Sequence, residues 1–156
     1  MRIHLVALGT RMPPWVEAGF ADYARRLPPQ CRLVLQAVPA VKRRKGADPA
    51  RALAEEGRRL LAAAPRGAHL VALEVGGRRR STGDLARWLE GRLAAGRDCA
   101  LLVGGADGLA PACRQAAAEC WSLSDLTLAH PLVRVVVAEQ LYRAWSILQG
   151  HPYHRA

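Results

Sequence analysis

Four short apolar stretches stand out along the first two thirds of the chain. They are residues 3–9, 32–38, 69–75 and 99–103, each ending near Gly or Pro. Runs of this length and composition are typical of strands buried on both faces of a sheet. Helical patterns fill the intervals at residues 14–27, 48–64 and 82–94. This alternation predicts an α/β fold, with a mostly parallel sheet covered by helices on both faces.

The last third of the chain predicts a long helix over residues 131–149. Pro131 suits its first turn, and Gly150 with Pro152 ends it. An apolar stripe at helical spacing is expected to face the core or a dimer partner. Its members are Leu132, Val135, Val136, Leu141, Trp145 and Leu148. On the polar side we expect Arg134, Glu139 and Arg143, with Glu139 placed four residues before Arg143 to form an ion pair.

Positive charge is the strongest compositional signal. The formal net charge is +10, and Lys42 and Lys45 are the only lysines. Such an excess favours an anionic partner, nucleic acid first and an anionic membrane second, although a general preference for Arg and Ala explains it as well. Residues 39–46 form a basic segment bounded by Pro and Gly, expected to be a mobile loop that either contacts phosphates or is merely solvated. Arg78, Arg79 and Arg80 extend the expected cationic surface.

Neither export nor metal binding is indicated. The N-terminus lacks the pattern of a secretory signal and no run of 18 apolar residues occurs, so we expect a soluble cytoplasmic protein without membrane contact. The four cysteines form no C-x-x-C pair and have no His at ligand spacing, which argues against structural zinc or a disulfide framework. We therefore expect reduced thiols and no metal. These cysteines are Cys31, Cys99, Cys113 and Cys120.

Three segments carry candidate chemistry. Residues 101–108 run from a buried strand into glycines, which would let backbone amides approach a ligand and lead on to a helix over 111–120; a tight turn explains them equally well. Residues 121–131 combine hydroxyl groups, leucines and a His-Pro step that could surround an adenine. The tail 151–155 places two imidazoles, a phenol and a guanidinium together, which indicates contact with a nucleotide. The chain contains neither G-x-G-x-x-G nor a Walker A sequence.

Several segments together resemble the ribosomal RNA pseudouridine N3-methyltransferase family, of the SPOUT class. The resemblance spans essentially the whole chain, with the segments in the family's order. The segments are LVALGT (5–10), KRRKG (42–46), VGGADG (103–108), SLSDLTL (122–128), HPLVR (130–134), EQLYRAW (139–145) and HPYHR (151–155).

The resemblance implies a single SPOUT domain over residues 1–156, with a C-terminal deep trefoil knot over roughly 70–156. It implies a homodimer that uses S-adenosylmethionine to methylate large-subunit ribosomal RNA at N3 of a pseudouridine, with the assembled ribosome as the substrate. The implied cofactor residues are Leu73, Gly104, Gly105, Leu123, Ser124, Asp125, Leu126, Thr127 and Leu128. Residues 104–108 read GGADG where related sequences often carry Pro-Glu or Ser-Asn, so Asp107 is not expected to be catalytic. Asp125 is expected to act through its backbone.

The acceptor nitrogen of such a base carries a proton at neutral pH, so methylation needs a base or a cation beside it. The residues suited to this task are Arg143, His154 and His130, and Tyr153 is the fourth expected catalytic residue. Arg143 would stabilise negative charge or bind a phosphate, Tyr153 would stack on or hydrogen-bond the flipped base, and His154 with Arg155 would close the site. His130 would accept the proton or simply order the helix start.

Three other functions remain open on the sequence alone. A noncatalytic SPOUT-like ribosome assembly factor would share the charge but needs no cofactor. A SPOUT enzyme acting on transfer RNA would share the knot and the cofactor but not the tail at 151–155. An anion-binding α/β regulator would explain the glycines but not the tail.

Overall fold

The computed structural model describes residues 1–155, which form one five-stranded sheet and five α-helices. The strands are β1 (Arg2–Leu8), β2 (Arg32–Val38), β3 (His69–Arg79), β4 (Cys99–Val103) and β5 (Glu119–Ser122). The helices are α1 (Pro14–Ala24), α2 (Pro49–Ala63), α3 (Thr82–Ala95), α4 (Pro111–Ala116) and α5 (His130–Leu148). The strand order is β2-β1-β4-β3-β5 and every pairing is parallel, which confirms the predicted sheet.

Alternation along the strands divides the core into two layers. In β1, Ile3, Leu5 and Ala7 point to one face of the sheet, while Val6 and Leu8 point to the other. The first layer packs against α1, α3 and α5, and the second packs against α2 and α4. Both faces are therefore covered by helices, as the near-continuous apolar strands require.

Local signals in the sequence set the helix boundaries. Asp48 accepts a hydrogen bond from Ala50 N at 3.0 Å and caps α2, with Pro49 in its first turn, as predicted. Ser81 and Asp84 form a reciprocal capping box at the start of α3, and Gly96 ends that helix with a φ of 71°. At the end of the chain a 3-10 turn over Pro152–His154 folds back on α5.

The structure corrects several predicted elements. β3 continues to Arg79, with a register irregularity between Leu73 and Arg78, and the helix expected over 111–120 ends at Ala116. The fifth strand was missed because its four residues, Glu-Cys-Trp-Ser, have no apolar pattern. On α5 the predicted stripe is confirmed at Leu141, which is buried, and at Trp145 and Leu148, which pack against the core. It was wrong at Leu132, which is 36% exposed, and it missed the buried Arg134 and Val137.

No helix among residues 1–155 has both the length and the apolar character needed to cross a membrane.

Candidate functional site

A cavity of about 610 Å³ lies at the carboxyl end of β4, beside the middle of β3. Ligands commonly bind beyond the carboxyl ends of strands in parallel α/β sheets. Three segments surround it: the part of β3 that begins at Leu73, the glycine turn (residues 104–108), and the loop between β5 and α5. Eight of the nine residues expected to bind a cofactor line it: Leu73, Gly104, Gly105, Leu123, Ser124, Leu126, Thr127 and Leu128.

The glycine turn is closed by its own backbone. Gly108 N donates to Gly105 O at 3.0 Å, and the two residues form an antiparallel bridge. A Cβ on Gly104 would lie 2.2 Å from Gly108 O, so only glycine fits at that position. The turn therefore presents backbone, without bulky side chains, to the cavity.

The loop after β5 is held by its own hydroxyl groups. Ser122 Oγ donates to Ser124 O at 3.0 Å, and Ser124 Oγ accepts from Leu126 N at 2.9 Å. Asp125 does not line the cavity; its carboxylate accepts from Arg79 Nη1 at 2.7 Å on the exposed side of the loop. Leu126 is 75% exposed although it borders the cavity.

His130 starts α5 and also lines the cavity. Burial, together with the nearby Arg134 charge, lowers the pKa of its imidazole below the ordinary 6.5. Its Nδ1 is buried and has no hydrogen-bond partner among the described residues. The structure therefore places at the wall of the cavity an imidazole whose pKa is lowered and whose Nδ1 has no partner among the described residues.

Arg134 was expected on the polar side of α5, and that expectation was wrong. Its side chain is only 2% exposed, and it donates to Leu8 O at 3.0 Å and to Gly9 O at 2.6 Å. Burial lowers the pKa of this guanidinium. The residue joins the start of α5 to the end of β1. On α5 it lies three and four residues before the buried Val137 and Ala138, on the same face of the helix.

The predicted pair of Glu139 and Arg143 is present, and the tail adds Tyr153 to it. Arg143 Nη2 donates to Glu139 Oε1 at 2.7 Å, and the Tyr153 hydroxyl donates to the same oxygen at 2.9 Å. The Arg143 guanidinium lies 4.9 Å from the centre of the Tyr153 ring. Burial, followed by the bond to Glu139, raises the pKa of Tyr153, so its phenol stays protonated. The Glu139 bond raises the pKa of Arg143.

One chain does not bring all the predicted catalytic residues together. His130 lines the cavity, whereas Arg143, Tyr153 and His154 do not. His154 follows Tyr153 in the 3-10 turn against α5, and its Nδ1 is buried without a partner among residues 1–155. The predicted site is thus divided between the cavity and a separate cluster on α5, formed by Glu139, Arg143 and Tyr153.

A polar network between β3 and β5 was not predicted. Glu119 accepts from Arg80 at 2.6 Å and from Trp88 Nε1 at 2.9 Å, and His69 Nε2 lies 2.6 Å from the same carboxylate. Burial opposes ionisation of Glu119, but the hydrogen bonds from His69 and Trp88 outweigh it, so the pKa of Glu119 is lowered. Arg80 is committed to this network and is not the exposed phosphate contact that the sequence indicated.

Within residues 1–155, no three His, Cys, Asp or Glu side chains are grouped so that they could hold a metal ion.

A family described as "Predicted SPOUT methyltransferase" matches residues 1–154. A protein of Thioalkalivibrio sulfidiphilus named "Ribosomal RNA large subunit methyltransferase H" is 58% identical over 99% of both chains. A protein of the same name from Methylococcus capsulatus is 57% identical, over 99% of this chain and all of the relative.

Among solved structures, a probable methylase family protein from Haemophilus influenzae resembles the fold. The TM-score is 0.57 and the identity 14%, with 99% of this chain and 70% of the other covered. At this identity the likeness concerns the fold alone.

Proposed function

This chain belongs to the SPOUT methyltransferase family, and we propose that it methylates large-subunit ribosomal RNA with S-adenosylmethionine as the methyl donor. The cavity at the end of β4 carries the proposal, because its wall includes the segments expected to bind the cofactor. Relatives 57–58% identical over essentially the whole chain have names that specify the same class of RNA. The finer proposal is methylation at N3 of a pseudouridine in the assembled ribosome, which places the protein in the cytoplasm.

The cavity suits S-adenosylmethionine in size and in chemistry. Its volume, about 610 Å³, lies within the range of small-molecule sites. Leu73, Leu109 and Leu128 supply apolar surface for an adenine, and the glycine turn supplies backbone groups. The Glu74 carboxylate, 3.3 Å from Arg114 Nη1, is a polar group at the same wall. When bound, the cofactor supplies an electrophilic methyl group, and the protein must hold the acceptor in line with it.

The other steps of methyl transfer are assigned to individual residues of this chain. His130 is the proposed proton acceptor, because the residue lines the cavity and its lowered pKa favours the neutral ring that can accept a proton. Tyr153, protonated and packed beside Arg143, would donate to or stack on the flipped base. Arg143 would meet a phosphate or the developing charge, and His154 with Arg155 would close the site.

We propose that a homodimer completes this site, because the cluster on α5 and the cavity of one chain remain apart. Trp15, Val75, Leu126 and Leu132 are exposed apolar side chains that a partner could cover. The test mixes two inactive variants, Gly104→Ala and Tyr153→Ala, after joint refolding. A shared site would restore roughly a quarter of wild-type activity, because half of the dimers are mixed and each has one intact site. No recovery from mixed dimers in which both chains are folded would contradict the shared site, and circular dichroism of each variant establishes that folding.

We also propose one domain over residues 1–156 with a trefoil knot over about 70–156. The proposal rests on the SPOUT family, whose model matches residues 1–154. Mechanical unfolding of single molecules tests the knot. A knotted chain stays measurably shorter than its full contour length at high force, whereas an unknotted chain reaches that length.

Transfer of labelled methyl groups tests the function as a whole. Ribosomes from a strain lacking the gene are incubated with the protein and tritiated S-adenosylmethionine, with separated subunits and transfer RNA as controls. Label mapped to N3 of a pseudouridine in large-subunit RNA supports the proposal. Label in transfer RNA would indicate a different substrate. Absence of label from a folded protein that binds the cofactor would favour a noncatalytic RNA-binding role.

A further inference from the structure

The basic segment at residues 39–46 is anchored to α2 by a buried carboxylate. The Glu56 side chain is only 5% exposed and accepts from Arg43 Nη1 at 2.8 Å and Nη2 at 2.7 Å, which is a bidentate pair. Val41 N donates to Glu56 Oε2 at 3.0 Å. Glu56 therefore fixes both the backbone and one arginine of a segment that the sequence indicated to be mobile.

The same arginine also reaches the glycine turn. Arg43 Nε and Nη2 donate to Asp107 Oδ2 at 3.1 Å and 2.9 Å. Asp107 lies in the glycine turn and borders the cavity, whereas Arg43 does not. The bonds to Glu56, followed by those to Asp107, raise the pKa of Arg43. One guanidinium thus joins α2, the basic segment and the turn that would support the cofactor.

We propose that Arg43 is a positioning residue, which holds the glycine turn in its binding shape through Asp107. The inference rests on the proposed function, since it assumes that this cavity binds S-adenosylmethionine. A turn held by one hydrogen bond of its own, from Gly108 N to Gly105 O, gains a second attachment outside the cavity. Prearranging the turn lowers the conformational cost of binding.

The planar guanidinium is what this role requires. Its fork can serve two carboxylates from different directions, whereas a lysine ammonium at the same place could neutralise Glu56 but would not span to Asp107 with the same geometry. Lys42, Arg44 and Lys45, beside Arg43, are exposed and make no salt bridge within residues 1–155. The anchored arginine is therefore distinct from its basic neighbours.

The experiment compares Arg43→Lys, Asp107→Asn and the double variant in the full chain. Arg43→Lys avoids leaving Glu56 buried without a cation, and Asp107→Glu keeps the carboxylate as a conservative rescue. Arg58→Ala is the matched control, because Arg58 is an exposed arginine on α2 whose one ion pair among residues 1–155 is with Glu55. Two quantities are measured: amide hydrogen exchange of residues 105–109 without ligand, and the Kd for S-adenosylmethionine by calorimetry.

We expect both single variants to exchange faster within the turn and to bind the cofactor at least ~5-fold more weakly, a typical size for coupling between sites. The double variant should bind the cofactor as tightly as the single variant with the lower affinity, because both changes break the same contact between Arg43 and Asp107. Asp107→Glu should recover most of the affinity, and Arg58→Ala should match the wild type. The global unfolding midpoint should change little, which separates positioning from a general loss of structure.

Several outcomes would overturn the inference. Unchanged exchange in the turn would show that Arg43 does not hold it, whether or not the cofactor binds. Faster exchange with wild-type affinity would show that the link does not serve binding, as would additive losses in the double variant. Failure of the wild type itself to bind S-adenosylmethionine would contradict the proposed function. In that case the hydrogen-exchange measurement would still test whether Arg43 holds the glycine turn.

Discussion

Gly104 and Gly105 are adjacent in the glycine turn, but they differ sharply in the room available for a side chain. A Cβ on Gly104 would lie 2.2 Å from Gly108 O and 2.8 Å from Leu109 N, whereas real Cβ atoms essentially never come within 3.0 Å of such atoms. A Cβ on Gly105 would meet Leu8 Cδ1 at 3.7 Å, an ordinary contact. Alanine at these two positions should therefore have very different effects on folding.

The cost at Gly104 can be estimated from these contacts. The clash involves backbone on both sides, so no change of rotamer relieves it, and overpacking of this kind costs about 1–3 kcal/mol. Opening the turn also weakens the bond from Gly108 N to Gly105 O, worth about 1 kcal/mol. We expect Gly104→Ala to lower the free energy of unfolding by about 2–4 kcal/mol. For Gly105→Ala we expect a change below about 0.5 kcal/mol.

Urea denaturation followed by tryptophan fluorescence measures both variants without cofactor. One protein concentration is used throughout, because association would make stability depend on concentration. The slope against urea should stay constant, so that a shift of midpoint reports stability. Equal destabilisation by the two substitutions, or a Gly104→Ala protein as stable as the wild type, would refute the reasoning from turn geometry.

Three further predictions concern charge. Burial lowers the pKa of His130, so the unfolded chain binds a proton there more readily than the folded chain. The free energy of unfolding should therefore decrease as the pH drops below 6.5. Denaturation measured at several pH values should show a smaller decrease for His130→Gln than for the wild type. Glu119→Gln replaces the carboxylate that accepts from Arg80 and Trp88, and it should lower the free energy of unfolding by roughly 2 kcal/mol in urea denaturation. The control Glu90→Gln, at an exposed position, should lower it by less than about 0.5 kcal/mol. The affinity for ribosomal RNA should fall steeply as the salt concentration rises. In a filter-binding titration, Lys42→Ala should reduce the slope of log K against log salt by about one. An unchanged slope would show that Lys42 does not contact the RNA.

Those parts of the fold that a single segment encodes could be predicted from sequence. The strands β1, β2 and β4 were placed within one residue, because each is a short apolar run ended by glycine, proline or a charged turn. Asp48 and Pro49 marked the start of α2 for the same reason, since capping is a local interaction. The parallel sheet followed from the alternation of these elements.

Features that depend on distant partners could not be predicted in this way. β5 pairs with β3, and its Glu119 contacts His69, Arg80 and Trp88, which lie 31 to 50 residues away. Arg134 is buried because two carbonyl groups at the end of β1 accept its hydrogen bonds. Asp125 was grouped with the cofactor residues because it stands among them in sequence, yet its side chain turns outward to Arg79. The neighbouring residues in the sequence indicate neither the hydrogen-bond partner of such a side chain nor the direction in which it points.

Arginine in this chain serves several separate purposes, which changes how its RNA surface should be mapped. Arg43 links α2 to the glycine turn, Arg80 completes the network at Glu119, and Arg134 joins α5 to β1. Substituting any of these would disturb folding or the cavity, and a loss of RNA binding would then say nothing about phosphate contacts. Because most acidic side chains are already paired locally, the net charge of +10 resides on cations elsewhere. Those exposed cations, Lys42 and Arg44 among them, are where a salt dependence should be sought.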